Sequence, residues 1–314
     1  MSFRLRDDLD ELAAYASAVS DVSGIPASHV EKDYWVTETL RGVADVSRRN
    51  GCSVIFKGGT SLSKAHRLIE RFSEDVDLLI VLPEAGKKRR DGMLKEFIAG
   101  AEAATGIEGR LDVATATAGV KRSVRLHYPT AAPSEGVTSG VLLELGTRGG
   151  ALPCDRRPIQ SLIAEYSQRA GLASDFEEVE PISLLVLDPV RTLVEKMMIL
   201  HHAATVGDSE RRRQTARHYY DVDALLRSPA VMSSLEQHET DVLAREVARH
   251  SMAAGLPSID RPPAGFSASP AWREDQPDIE RAYEDVLERL VWPSALTSAF
   301  AQCCQRVHDH AYLL

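Results

Sequence analysis

Two aspartates stand at the head of an apolar run, where a charged side chain is costly to bury. Asp75 and Asp77 open the aliphatic stretch 78–82. Residues two apart on a strand face the same side, so the two carboxylates are expected next to each other. A divalent cation relieves their repulsion, and carboxylate oxygens suit Mg²⁺, with Mn²⁺ as an alternative. The pair therefore predicts a metal site at the start of a buried strand.

A glycine-rich turn precedes the aspartates. Gly58, Gly59 and Thr60 lead into an amphipathic stretch, and sixteen residues separate Gly59 from Asp75. Free backbone N–H groups and the positive end of a helix dipole make such a turn an anion site suited to a triphosphate. Either feature alone is common in unrelated proteins. Together, in this order, they predict metal-assisted nucleotidyl transfer.

A third carboxylate is expected close to the first two. Glu144 is the only acid in the apolar segment 140–148. On a strand beside Asp75 and Asp77 it would complete a metal cluster or orient the attacking group. The alternative is that Glu144 lies on the solvent face of its strand.

The elements that must position these residues form a mixed sheet with helices. Helical periodicity predicts a first helix over residues 5–20 and a second from Ser28, with Glu31 completing a capping box. A strand over 53–56, a helix through 62–69 and a buried strand over 76–82 follow. A helix over 94–109 and three strands within 110–148 complete a sheet of about four or five strands.

The later part of the chain changes character. A helix beginning at Pro189 is expected, then one over 210–228, a loop over 255–278 rich in Pro, Gly and Ser, and two closing helices. The sequence predicts an α+β protein whose domain 1–180 carries the chemistry and whose domain 181–314 is mostly helical.

Composition limits the classes of function. The net charge of −9 over 314 residues argues against a protein that coats nucleic acid non-specifically. The basic runs 87–90 and 211–213 suit either a solvated face or a small RNA contact. Four cysteines without a paired spacing favour a reducing cytoplasm, and no apolar stretch is long enough to predict a membrane span.

These motifs together resemble the AbiEii/AbiGii toxin family of nucleotidyltransferases, within the DNA polymerase β-like superfamily. The resemblance covers roughly residues 20–227 and rests on the segments EKDYWVTETL, FKGGTSLSK, RFSEDVDL, GVLLELGTR, RTLVEKMMIL and ARHYYDVDALL. It implies a DNA polymerase β-like nucleotidyltransferase core followed by a helical C-terminal domain. The combination of segments is specific, whereas each segment alone is not.

The resemblance also implies roles for individual residues. Asp75, Asp77 and Glu144 would hold the metal, and Lys196 and Asp221 would join the two aspartates as catalytic residues. The nucleotide would be held by Lys57, Gly58, Gly59, Thr60, Ser61, Lys64 and Arg217. The family motif Arg-Asp-x-x-Asp departs here, because His218 replaces its first acid. Lys32 and Asp33 suit either substrate contact or structural pairing.

The resulting hypothesis is a toxin of a bacterial toxin–antitoxin pair. It would transfer nucleotides from an NTP to the 3′ acceptor end of tRNA, block aminoacylation and stop growth, and a cognate antitoxin would be encoded nearby. One alternative acceptor is an aminoglycoside-like small molecule or a protein hydroxyl. A catalytically dead NTP-binding module is the other alternative. Phosphorylation of Ser73, beside the metal site, would oppose nucleotide binding.

Overall fold

Two compact units make up the chain. The computed structural model describes residues 4–73, 75–82, 85–111, 116–130, 139–172, 176–253 and 260–314. Unit 1 comprises residues 1–65, 72–186 and 292–294, and unit 2 comprises 66–71, 187–291 and 295–314.

Unit 1 is built on a mixed β-sheet. Within the described ranges the sheet has seven strands in the order β3-β4-β5-β2-β1-β7-β6. Their bounds are β1 Ser53–Lys57, β2 Asp75–Val81, β3 Gly109–Leu111, β4 Lys121–Leu126, β5 Val141–Gly146, β6 Cys154–Ile159 and β7 Ile182–Leu187. The expected count of four or five strands was too low. The polar sequence of β6, CDRRPI, lacks the alternation that marks a strand. Residues 182–187, which form β7, lie at the start of the predicted helical domain, and no strand was predicted there.

One face of this sheet is covered by helices and forms the core. The helices of unit 1 are α1 Leu9–Ser23, α2 Ala27–Asn50, α3 Gly58–Lys64, α4 Lys87–Thr105 and α5 Leu162–Ala170. Phe56, Leu78 and Leu143 are buried in one cluster with side chains of α1, α2 and α4. Gly42 of α2 meets Gly100 of α4, and a Cβ at Gly42 would overlap the Gly100 carbonyl. The two helices therefore pack backbone to backbone behind the sheet.

Several helix boundaries differ from those expected, and α4 begins at Lys87 rather than at residue 94. The second helix begins at Ala27 with Pro26 at its N-cap, so Ser28 lies inside the helix and does not cap it. The third helix ends at Lys64, and the expected continuation to residue 69 is wrong. Arg67 has φ of 54°, a left-handed conformation in which a right-handed helix cannot continue. Residues 112–115 of the first strand predicted after α4, and 254–259 around the start of the loop, lie outside the described residues.

Unit 2 is mostly helical in its described part. Its helices are α6 Pro189–Val206, α7 Ser209–Gln214, α8 Arg217–Arg227, α9 Pro229–Gln237, α10 Thr240–Ala253, α11 Pro277–Leu290 and α12 Phe300–Asp309. Helix α6 starts at Pro189 as predicted, and the Asp188 side chain accepts from the N–H of Val190. The single helix expected over 210–228 is two helices, α7 and α8. Of the helices that the structure describes, none has the length and apolar character needed to cross a bilayer.

Candidate active site

The polar face of the unit 1 sheet carries a row of functional side chains. In the register of four neighbouring strands, Lys57 of β1 lies opposite Asp77 of β2, Asp77 opposite Glu144 of β5, and Glu144 opposite Ser123 of β4. Partners in register point to the same side of a sheet. Asp75, two residues before Asp77, shares that side. The structure therefore brings the three predicted carboxylates onto one face of unit 1.

The glycine turn approaches this row closely. Gly58 has φ of 77°, a conformation that L side chains rarely adopt. A Cβ at Gly58 would lie 3.2 Å from Cγ of Asp77 and closer still to its Oδ2. Only glycine meets both conditions without displacing the carboxylate. The backbone at the start of α3 and the Asp77 side chain are therefore in close contact.

The two central carboxylates differ in their electrostatic surroundings. Burial raises the pKa of Asp77 to about 6, with Glu144 and Asp75 adding to the rise and Lys57 opposing it. Burial also pushes the pKa of Glu144 upward, but Lys121 outweighs this effect, and the net pKa of Glu144 is lowered. Lys121 Nζ lies 2.7 Å from Glu144 Oε1. Glu144 is therefore held ionised beside a carboxyl group that gains a proton more readily.

The donor set tests whether a metal ion fits this row. Asp77 and Glu144 offer only oxygen atoms, which are the ligands Mg²⁺ prefers, and a hydrogen bond joins their carboxyl groups. A cation can replace the proton that they share. In the part of the chain that the structure describes, no three His, Cys, Asp or Glu side chains are placed to hold a metal. The pair fits a divalent ion, while the three-carboxylate cluster with Asp75 stays a prediction.

Two hydroxyl groups of the turn form hydrogen bonds within the protein. Thr60 Oγ1 donates to the carbonyl oxygen of Asp75 at 2.5 Å and lies 2.9 Å from Ser73 Oγ. Ser61 Oγ donates to the carbonyl oxygen of Gly58. Both side chains are buried. The hydroxyl of Thr60 therefore holds α3 against the start of β2, and that of Ser61 bonds within the turn. Because both hydroxyls are used in this way, these two residues would offer a nucleotide their backbone N–H groups.

Lys64 forms a buried ion pair. Its Nζ lies 2.5 Å from Asp33 Oδ1, and Asp33 Oδ2 accepts from the backbone N–H of Leu162. Asp33 therefore joins α2 to both α3 and the start of α5, which favours structural pairing over substrate contact for this acid. In the phosphate contact predicted for Lys64, the phosphate would share the ammonium with Asp33.

In unit 2, Lys196 and Asp221 form a buried charge cluster with Arg71. Asp221 is fully buried, and its carboxylate lies 2.6 Å from Arg71 Nε and 2.7 Å from Lys196 Nζ. Burial alone would raise the pKa of Asp221, but the two cations hold it well below its ordinary value. The pKa of Lys196 is lowered, chiefly by burial. These two residues, predicted to be catalytic, therefore hold each other in the interior of the helical unit.

His218 explains how the departure from the family motif is accommodated. Its Nδ1 lies 3.2 Å from Lys196 Nζ and 3.3 Å from Asp221 Oδ2. Burial, followed by the charge of Lys196, lowers the pKa of His218 to about 3, so the imidazole is neutral. A neutral imidazole here lies beside both groups without adding a second negative charge next to Asp221. Arg217 precedes His218 at the start of α8.

Three contributors to these sites were not identified from the sequence. Lys121 and Ser123 both contact Glu144, at 2.7 and 3.1 Å, and Arg71 pairs with Asp221. The partners of Glu144 depend on the register of β4 and β5, which no local pattern determines. Arg71 had a weak signal, since it is the first residue of the quoted segment RFSEDVDL.

The fold and this face define a nucleotidyltransferase. The family model "Nucleotidyl transferase AbiEii toxin, Type IV TA system" matches residues 44–301. The chain belongs to this family of nucleotidyltransferase toxins, which confirms the family resemblance and the enzyme class. No curated protein matches the chain.

Solved structures agree on the fold. The chain is similar to MenT4, a nucleotidyltransferase toxin from Mycobacterium tuberculosis H37Rv, with a TM-score of 0.56 and 16% sequence identity. The match covers 95% of this chain and 88% of that chain. The predicted α+β nucleotidyltransferase fold is confirmed.

Proposed function

We propose that this toxin is a Mg²⁺-dependent nucleotidyltransferase that extends the 3′ acceptor end of tRNA from an NTP. The observation that carries the proposal is the approach of Gly58 to the Asp77 carboxylate, beside Glu144 on the neighbouring strand. This arrangement joins an anion-binding backbone to paired oxygen donors. A growth-arresting toxin gains from such chemistry because an extended tRNA end cannot be aminoacylated.

Asp77 and Glu144 would hold the metal, with Asp75 beside them. When bound, Mg²⁺ polarises the phosphate and stabilises charge on the attacking and leaving oxygens. The acceptor 3′-oxygen forms a bond to the α-phosphorus of the NTP, the bond to the pyrophosphate oxygen breaks, and the hydroxyl proton is released. That proton passes to solvent, and Glu144, held ionised by Lys121, stays available to the metal.

Lys57 and the first turn of α3 would bind the triphosphate. Lys57 lies opposite Asp77 in the register, and its charge favours the ionised form of that carboxyl group. Lys196 and Asp221 are proposed to stabilise the fold of the helical unit, because their opposite charges pair in its interior. Arg217 keeps its proposed role in binding nucleotide.

The test follows label from each α-labelled NTP into total bacterial tRNA. Asp77→Asn removes a carboxylate with little change in volume, and Asp155→Asn, at an exposed position of β6, is the matched control. We expect labelled tRNA from wild type and Asp155→Asn, abolished by EDTA, and a loss of at least about 100-fold in Asp77→Asn. Full activity in Asp77→Asn would reject the proposed metal site.

The acceptor is tested in the same reactions. If the label appeared on a small molecule or a protein from the extract and not on tRNA, the acceptor would be one of those alternatives. NTP binding with no transfer to any acceptor would indicate a catalytically dead module. Either result leaves the family assignment in place and changes the reaction.

A further inference from the structure

A second row of residues runs from the carboxylates to the edge of the sheet. Asp75 of β2 lies opposite Leu142 of β5, Leu142 opposite Arg125 of β4, and Arg125 opposite Arg110 of β3. All four residues share the face that carries Asp77, because partners in register point to the same side. Two arginines therefore continue the active-site face outward.

The two arginines oppose each other directly. Like charges on directly opposite residues of an antiparallel pair destabilise the sheet. Within the described residues neither guanidinium forms an ion pair, and the one hydrogen bond of Arg125 is a 3.4 Å contact from Nη1 to the carbonyl oxygen of Ser139. Arg122, on the other face of β4, lies 2.9 Å from Asp91. Arg122, which faces the core helices, therefore has an acidic partner, whereas Arg110 and Arg125 lie opposite each other.

The position and exposure of Arg110 and Arg125 indicate which kind of ligand they could bind. Arg110 is exposed and Arg125 is half-buried, on the two outermost strands at this edge of the sheet. With strands about 4.8 Å apart, Arg125 lies roughly 10 Å and Arg110 roughly 14 Å along the sheet from Asp75. A compact acceptor seated at the carboxylates would not extend that far. A polynucleotide entering over the sheet edge would place its backbone phosphates there.

We infer that Arg110 and Arg125 form a phosphate clamp that positions the backbone of a nucleic-acid acceptor, with its 3′ end directed at Asp75 and Asp77. This inference rests on the proposed function and adds the residues that select a polynucleotide. A local clamp also suits the net charge of −9, which disfavours broad contact with nucleic acid. The triphosphate of the NTP is the other source of phosphate, and the experiment separates the two.

The test compares the full-length wild type with Arg110→Ala/Arg125→Ala. Arg156→Ala, an exposed arginine on the opposite edge strand β6, is the matched control. Initial rates are measured against tRNA at fixed NTP, and against NTP at saturating tRNA. We expect the KM for tRNA to rise about tenfold or more in the double variant, since two charged contacts are lost. The KM for NTP and the kcat should change less than about twofold.

Direct binding of fluorescent tRNA across a salt series gives an independent readout. Each lost phosphate contact should reduce the slope of log K against log salt by about 0.7 for single-stranded RNA. Arg110→Glu tests the same clamp through folding, because it converts a repulsive cross-strand pair into an attractive one. We expect that variant to melt at or above the wild-type temperature while its KM for tRNA rises.

The outcomes distinguish the clamp from the proposed function. Wild type that labels tRNA, with an unchanged KM and salt slope in the double variant, would overturn the clamp alone. A rise in the KM for NTP instead would assign these arginines to the triphosphate and likewise overturn it. Wild type that neither labels nor binds tRNA would overturn the proposed function and the clamp together.

Discussion

Gly58→Ala tests whether the glycine turn and the catalytic carboxylate form a single site. The substitution has two physical effects. Alanine at a φ of 77° costs about 1–2 kcal/mol of folding free energy, because its Cβ crowds the carbonyl oxygen that follows. The new Cβ also requires the Asp77 carboxylate to move, since it would lie 3.2 Å from Cγ and closer to Oδ2. The first effect is general, whereas the second is particular to this site.

Two other glycines separate these effects. Gly24 and Gly51 have φ of 71° and 61°, and a Cβ at either position meets nothing within 4 Å. Gly24→Ala and Gly51→Ala should therefore lose the same 1–2 kcal/mol or so while leaving Asp77 in place. Urea denaturation gives the free energy of unfolding of the three variants, and label transfer from an NTP gives the activity.

We expect comparable stability in all three variants and a selective loss of activity in Gly58→Ala. A displacement near 1 Å in a reacting group can cost about 100-fold in rate. Wild-type kcat in Gly58→Ala would refute the argument, because the carboxylate would then tolerate the displacement. An equal loss of activity in Gly24→Ala would refute it as well, by assigning the effect to stability.

Two further predictions concern buried acids away from that turn. Asp221→Asn should destabilise the protein by about 3–5 kcal/mol at pH 7 in urea denaturation, because Arg71 and Lys196 would lose the anion they share. Burial raises the pKa of Glu38 to about 7 against an ordinary 4.5. Glu38→Gln should therefore raise the melting temperature at pH 8, where ionised Glu38 costs up to about 3 kcal/mol, and change it little at pH 4.5.

The signs of the two pH dependences are opposite. The pKa of Asp221 is depressed in the folded protein, so its stabilisation is complete above about pH 5 and is lost as the pH falls below about 4. Glu38 binds its proton more tightly in the folded protein, so stability falls as the pH rises from 4.5 to 7. Glu177→Gln, at a surface ion pair with Arg4, is the control and should change little. A wild-type urea midpoint for Asp221→Asn at pH 7, or pH-independent melting differences for Glu38→Gln, would contradict these assignments.

The parts of unit 1 that were predictable from sequence are those fixed by short-range geometry. The period of two along a strand places Asp75 and Asp77 on one face whatever the rest of the chain does. The glycine turn at the start of α3 was also visible locally, whereas the approach of Gly58 to Asp77 was not predicted. Glu144 was singled out as the one acid in an apolar segment, and the parallel pairing of β2 and β5 places it opposite Asp77.

Contacts between residues that are far apart in the sequence could not be predicted from the sequence pattern. Lys64 was expected at the phosphates, but Asp33, 31 residues earlier, pairs with it. Arg71 and Asp221 are 150 residues apart, and their pairing depends on how the helical unit packs. Lys121 contacts Glu144 because of the register of β4 and β5. These contacts are set by tertiary packing, which overrides any local preference for solvent.

The two faces of the unit 1 sheet differ in the side chains they carry, and that difference supports the proposed position of the active site. The core face is apolar and closely packed, with Phe56 and Leu78 in its interior. The other face departs from what stability favours. Asp77 is a carboxyl group whose pKa is raised by burial, and Arg110 opposes Arg125. Each departure costs folding free energy, a cost that natural proteins commonly carry where activity needs it. Their clustering on one face indicates that this face is maintained for chemistry.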